Sequence, residues 1–295
     1  MEFSVPFRWN VKKREQLGRL VTEPGEEVRN YWQRVERHLE DMQTGCARVL
    51  SQCQNASLVF VGRSPENLFD YLSGLFENTS WAERLVLLPL SARGLDTEYI
   101  RERYPPSALE GLRAALDAAG LSPAKIAVSP HPYALVDVVC RGSTMRSVMD
   151  FLSSWAKESY PDRAAVIRKL RIVGLTVRQK TSPNTWRWQQ DAPWLAEYPA
   201  DFVKNVSLTW DFWDLLGNSH IKASPSFSPR RWGRDDLSTP SRDRTHKNGL
   251  YVAWRLLELG RSAAHRRAFA QAMARERGMR FSWYRSLAGE LSRGG

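Results

Sequence analysis

The chain is predicted to fold as an α/β protein with a mostly parallel sheet flanked by helices. Three observations carry this. The runs Leu58–Val61, Leu85–Leu88 and Ala134–Val139 are short and, but for Asp137, apolar on both faces, as strands covered on both sides are. They alternate with segments of helical periodicity. Each run also gives way to a short polar loop, at Gly62–Glu66, Ser91–Gly94 and Cys140–Thr144. Ligands of open parallel sheets bind at the carboxyl ends of the strands, so these loops are expected to meet at one edge.

The elements follow in order. Pro24 and Gly25 mark a turn, and Glu26–Gln52 reads as one helix. Val28, Tyr31, Trp32, Val35, Leu39 and Met42 recur there at helical spacing, with acids in the first turn. After the strand Leu58–Val61, Ser64 is the expected N-cap and Pro65 the first-turn residue of a helix that carries Leu68, Phe69, Leu72 and Leu75. Leu85–Leu88 is a strand closed by Pro89. Asp96–Arg103 reads as a short helix, and Ser107–Ala119 as a longer one closed by Gly120. Lys125–Val128 reads as a short strand. Ala134–Met145 then supplies strand, acid and small turn, followed by a helix over Arg146–Trp155. Lys169–Arg178 is a basic strand.

Between Thr181 and Ser241 the composition changes. Six of the 12 tryptophans fall between Trp186 and Trp232, among Pro, Asn, Asp and Gly. This is too aromatic for a disordered linker. It reads as an irregular layer over the sheet edge, able to wall a pocket or stack on a planar ring. Asn248–Gly260, Arg261–Arg277 and Ser282–Leu291 read as helices packed on that layer, with arginines outward. The expected division is residues 1–180, an α/β domain with an N-terminal helical arm, and residues 181–295, the Trp-rich layer with a basic helical region.

Composition narrows the function classes. Hydrophobic residues make up 42% and charged residues 25%, as in globular proteins. No apolar run is long enough for a bilayer, and Met1–Asn10 lacks the pattern of a secretory signal, so a cytoplasmic location is expected. The three cysteines have neither CxxC nor zinc spacing. Cys46 and Cys53 share a helix face and are expected in the core. Cys140 is either a small loop residue or a nucleophile, for which His131 is the only base nearby in sequence. Net charge is +11, and from Lys222 onward 16 basic residues face 6 acidic ones. That basic quarter suits a polyanion such as nucleic acid, or arginines on the outside of a helical cap.

The chemistry concentrates in the loops. A small hydroxylated turn between strand and helix, such as Cys140, Arg141, Gly142, Ser143 and Thr144, presents amides and hydroxyls to a phosphate, and the helix N-terminus favours the negative charge. Asp137 is placed to accept hydrogen bonds from sugar hydroxyls. At the tip of the first strand, after Gly62, Arg63 has the planar fork that binds oxyanions, although a surface salt bridge is the other reading. Ser64 and Arg93 complete the candidate set.

Val61–Glu66 and Val136–Thr144, in this order, resemble the type I phosphoribosyltransferase family over about Glu26–Gln179. In that family a strand ends in a pyrophosphate-binding loop, and a later strand with two acids precedes a Thr-Gly-x-Thr phosphate loop. The resemblance implies a phosphoribosyl pyrophosphate-dependent pentosyltransferase that acts at the anomeric carbon. By it, Arg141–Thr144 hold the 5-phosphate, Asp137 contacts the ribose hydroxyls, and Gly62, Arg63 and Ser64 hold pyrophosphate with magnesium. Asp137 and Arg63 are the expected catalytic residues. Glu66 or Asp70 either helps hold metal through water or is a surface or capping residue. The family often dimerises, so a homodimer is also implied, whereas no membrane partner is expected.

Two departures from the family pattern leave alternatives open. Val138 stands where a second acid is usual, and Arg141 where a hydroxyl is common. The first fits a non-enzymatic nucleotide sensor with a nucleic-acid-binding tail. The second fits a hydrolase or phosphorylase of a phosphorylated nucleoside, with Arg141 as an added phosphate ligand. Nothing in the sequence names the acceptor.

Overall fold

The computed structural model describes residues 8–12, 17–18, 24–178, 188–233 and 243–293. Lys13, Arg14 and Trp186 lie outside them. In chain order the first half comprises α1 (Glu26–Arg37), α2 (Leu39–Gln52), β1 (Ser57–Val61), α3 (Glu66–Leu75), β2 (Leu85–Leu88), α4 (Thr97–Arg103) and α5 (Pro106–Ala118). Next come α6 (Pro123–Val128), β3 (Tyr133–Val138), α7 (Ser143–Ser159), α8 (Arg163–Arg168) and β4 (Leu170–Val177). Two 3-10 turns then lead to β5 (Val203–Leu208), α9 (Trp210–Asp214) and a π turn at Leu215–Ser219. Three helices close the chain: α10 (Arg244–Arg261), α11 (Ala263–Ala274) and α12 (Ser282–Arg293).

The five strands form one all-parallel sheet in the order β2-β1-β3-β4-β5. The structure is therefore α/β, with helices on both faces of the sheet. Chain progression reverses between β1 and β3, which makes their carboxyl ends the switch point where such sheets open a crevice. Alternation decides which core each side chain enters. Leu58, Phe60, Ala134 and Val136 pack with α1, α2, α3 and the three C-terminal helices. Val59, Val61 and Leu135 pack with α4 to α8 and with Trp188 and Trp232. Among the described residues no helix is long and apolar enough to cross a membrane.

α3 and α10 cross with almost no space between their backbones. A Cβ added at Gly74 would lie 2.0 Å from the Leu257 carbonyl oxygen, and one at Gly260 would lie 2.4 Å from that of Tyr71. The crossing fixes the C-terminal helices against α3, the helix that follows the first candidate loop. Those helices pack chiefly on α2 and α3, not on the Trp-rich segment as expected.

Several elements differ from expectation. The helix expected over Glu26–Gln52 is broken at His38, whose backbone leaves the helical region (φ −106, ψ 14). Its ring lies 3.1 Å from Asp41 Oδ2, in the first turn of the next helix. Lys125–Val128 is the end of helix α6, not a strand. Pro123 opens it in the first turn, where a missing amide costs nothing. Both flanks of β1 and β3 are already paired, which leaves no ladder for a strand there. Ser64 makes no capping bond, because Pro65 holds the cap position of α3. Helix α7 begins at Ser143, three residues before the expected Arg146. Val203–Leu208 is a strand of the sheet instead of part of an irregular layer, so residue 180 falls between two adjacent strands.

Candidate anion-binding site

Each loop is positioned by its strand. Gly62 leaves β1 with φ +76, a left-handed backbone that glycine adopts without strain, and its N–H donates to the Leu88 carbonyl. This turns Arg63 and Ser64 across the strand end. After β2, Leu90 bridges in parallel to Phe227 and the Ser91 N–H donates to the Phe227 carbonyl, which holds the loop that carries Arg93. After β3 the chain passes through Val139 to Gly142, at φ +72, and enters α7.

The three loops share one crevice, because β2, β1 and β3 are neighbours. One cavity of about 200 Å³ is lined by Ser64, Arg93, Asp137 and the continuous stretch Val138–Met145. A second, of about 380 Å³, is lined by Gly62, Arg63, Ser64, Arg93, Asp137 and Thr144. Ser64, Arg93, Asp137 and Thr144 line both, so the cavities are two ends of one space. The residues predicted to bind substrate all line it: Gly62, Arg63, Ser64, Arg93, Asp137, Cys140, Arg141, Gly142, Ser143 and Thr144.

The lining of the first cavity carries groups that favour an anion. Gly142 is the N-cap of α7 without a side-chain cap. The amides of Ser143, Thr144 and Met145 therefore have no intrahelical acceptor, and all three residues line the cavity. A 17-residue helix sets its positive end there. Arg141 is exposed at the cavity rim.

Asp137 sits at the junction, paired in register with Gly174 of β4. It is buried, and its Oδ1 accepts from the Val138 N–H at 2.7 Å. Burial holds its carboxyl well above the usual carboxylate range, and the Val138 bond offsets this only in part. No basic side chain among the described residues forms an ion pair with it.

Residues that the sequence did not assign complete the crevice. Lys222 lines the second cavity beside Arg63. Its ammonium lies 3.3 Å from His220 Nδ1. Burial and Lys222 push His220 down to about 3, so the ring is neutral and accepts from the lysine. Burial and the Arg63 charge lower the Lys222 pKa, while Glu66 opposes them. Trp213 and Asn218 line the first cavity and Gly217 lines both. Trp213 Nε1 donates to the Leu175 carbonyl at 3.1 Å, which anchors the ring above β4. The signals were faint: Lys222 heads the basic quarter, and Gly217-Asn218 reads only as a turn.

Glu66 and Asp70 are not surface residues, and neither lines the crevice. Both are fully buried on α3. Glu66 Oε2 accepts from the Ala223 and Ser224 N–H groups, and Asp70 holds Arg8 through two 2.7 Å bonds. Cys140 has no base partner in His131. That histidine precedes β3 while Cys140 follows it, and a six-residue strand separates their ends by roughly 20 Å.

Magnesium prefers oxygen ligands and usually takes one or two carboxylates. Among the described residues the crevice is lined by one carboxyl group, Asp137, and four cationic side chains, Arg63, Arg93, Arg141 and Lys222. Among the described residues no three His, Cys, Asp or Glu side chains gather. This donor set does not fit a magnesium ion held by the protein.

The Trp-rich segment supports the site from behind. Trp188 is fully buried, and a Cβ on Gly142 would meet its Cζ3 at 2.2 Å. Trp188 Nε1 donates to Asn205 Oδ1 at 3.0 Å, and Asn205 Nδ2 donates to Gln189 Oε1 at 3.1 Å. The indole is thus pinned against the loop before α7. Trp232 lies on the far side, against Phe151 and Phe227.

No protein-family model, curated protein or solved structure matches this chain.

Proposed function

We propose that the chain binds a phosphoribosyl pyrophosphate-like sugar phosphate and transfers its phosphoribosyl group at the anomeric carbon. One observation carries the reading. Arg63 and Lys222 stand at one end of a crevice, the N-terminus of α7 opens on the other, and Arg93 and Asp137 line both. A ligand with two anionic ends and hydroxyls between them matches that order of groups.

In the reaction the bond from the anomeric carbon to the pyrophosphate oxygen breaks, and its electron pair leaves with the oxygen. The oxocarbenium-like centre is captured by the acceptor nucleophile. The residues on hand supply positioning and stabilisation of the leaving charge. The α7 amides hold the 5-phosphate, Asp137 orients the sugar hydroxyls, and Arg63, Arg93 and Lys222 receive the departing pyrophosphate. Trp213 offers an aromatic wall for an acceptor ring.

The basic C-terminal quarter adds less than its charge suggests. Arg261 pairs with Glu77 and Glu258, Arg266 donates to the Gly74 and Glu77 carbonyls, and Arg255 lies over the Trp32 ring. These arginines hold helices together.

Calorimetric titration of the full chain with phosphoribosyl pyrophosphate tests the proposal. Saturable binding is expected, and Asp137→Ala weakens it by about tenfold or more, the usual effect of losing a hydrogen bond to an acid. No heat of binding to the native chain contradicts the proposal. Unchanged binding by the variant removes Asp137 from it.

A further inference from the structure

We infer that this site binds its polyphosphate ligand without a divalent cation, with Lys222, Arg63 and Arg93 in the charge-neutralising place. The inference rests on the sugar-phosphate reading above and concerns how that same site meets the charge.

The acids account for the first half of the argument. Among the described residues Asp137 is the one carboxyl group lining either cavity. One of its oxygens is engaged by the Val138 N–H. Two acids of α3 lie outside the lining: Glu66 Oε2 accepts from the Ala223 and Ser224 amides while its Oε1 has no hydrogen-bond partner, and Asp70 holds Arg8. Val138, in the place of a second acid, packs against the core of α1 to α3. A metal in the crevice would therefore meet one buried acid and four cations, an arrangement that repels it.

The cations account for the second half. Arg63 and Arg93 come from the loops after β1 and β2, and Lys222 from the chain after the π turn. They reach one cavity from three separate parts of the chain. Lys222 is half-buried, held at His220, and next to Arg63. Glu66 offsets part of the repulsion between these two charges, and an anion bound between them relieves the rest. Arginine forks bind phosphoryl oxygens in pairs, while lysine acts as a compact point charge. That combination performs the service magnesium gives elsewhere, which is to neutralise adjacent phosphates.

The experiment is calorimetric titration of the full chain with phosphoribosyl pyrophosphate, once in excess EDTA and once in excess magnesium. The native chain is expected to give dissociation constants within about threefold of each other. Lys222→Gln is expected to weaken binding in EDTA by about tenfold or more, and Lys222→Arg to restore most of it. Native binding that appears only with magnesium overturns the inference and leaves the proposed function standing. Equal binding by native chain and Lys222→Gln in EDTA also overturns it. Absence of binding in both buffers overturns the proposed function and this inference together. Thermal melting of each variant separates lost charge from lost fold, and a Lys222→Gln chain that melts well below the native one makes Lys222→Arg the deciding comparison.

Discussion

Replacing Gly142 with alanine is expected to weaken phosphoribosyl pyrophosphate binding by about a hundredfold and to cost roughly 3 kcal/mol of stability. Two effects add at this residue. Its φ of +72 is a left-handed backbone, which costs an L side chain about 1–2 kcal/mol. The new Cβ would also lie 2.2 Å from Trp188 Cζ3 and 2.4 Å from Cε3. The indole has no room to retreat, since Trp188 is fully buried and its Nε1 is bound to Asn205. The loop must move instead, and with it the amides of Ser143, Thr144 and Met145. Calorimetry together with chemical denaturation reads both consequences. Binding within threefold of the native value would show that the loop amides do not hold the ligand.

Gly74→Ala is expected to lower stability by about 3 kcal/mol or more, and the melting temperature by roughly 6–10 °C. The added methyl would sit 2.0 Å from the Leu257 carbonyl oxygen and 2.9 Å from its carbon, both backbone atoms that no rotamer change can clear. α3 and α10 must separate, and buried contacts of Leu72, Leu256 and Phe269 open with them. Gly260→Ala strikes the same crossing from the other helix, with a Cβ 2.4 Å from the Tyr71 carbonyl oxygen and 2.7 Å from the Leu75 nitrogen. The two substitutions share one cause, so the double variant should lose less than the sum. Thermal denaturation of the three variants checks this. A Gly74→Ala chain that melts like the native one would mean the helices do not touch as described.

Much of this was legible in the sequence. The strands β1 to β3 announce themselves because they read as short runs that are apolar but for Asp137, and β4 because its residues alternate within the basic stretch Lys169–Arg178. The loops announce themselves because Gly62 and Gly142 must take positive φ and polar residues follow both. Strand β5 was missed for the opposite reason. Val203–Leu208 lies at the sheet edge, four of its six residues are only partly buried, and the sequence there is dominated by neighbouring tryptophans. The kind of helix or strand at Lys125–Val128 was misread because four apolar-leaning residues say little, and the informative residue was Pro123 upstream.

The site was legible only as far as it is local. Asp137 and the loops on either side of it belong to strand ends, which patterning finds. Lys222 and Trp213 reach the crevice across the fold, from a segment without period, and no spacing relates Lys222 to Arg63. Glu66 and Asp70 were assigned to the surface or to metal because acids on a helix usually face water. Their partners, Arg8 and the amides of Ala223 and Ser224, come from distant parts of the chain.

The central claim is that one crevice holds both anionic ends of a sugar phosphate. A crystal structure of the full chain soaked with phosphoribosyl pyrophosphate tests it most directly. The account predicts the 5-phosphate on the amides of Ser143, Thr144 and Met145, the ribose hydroxyls at Asp137, and the pyrophosphate among Arg63, Arg93 and Lys222. A ligand bound elsewhere, or one whose pyrophosphate lies on the α7 N-terminus with the sugar away from Asp137, would contradict it.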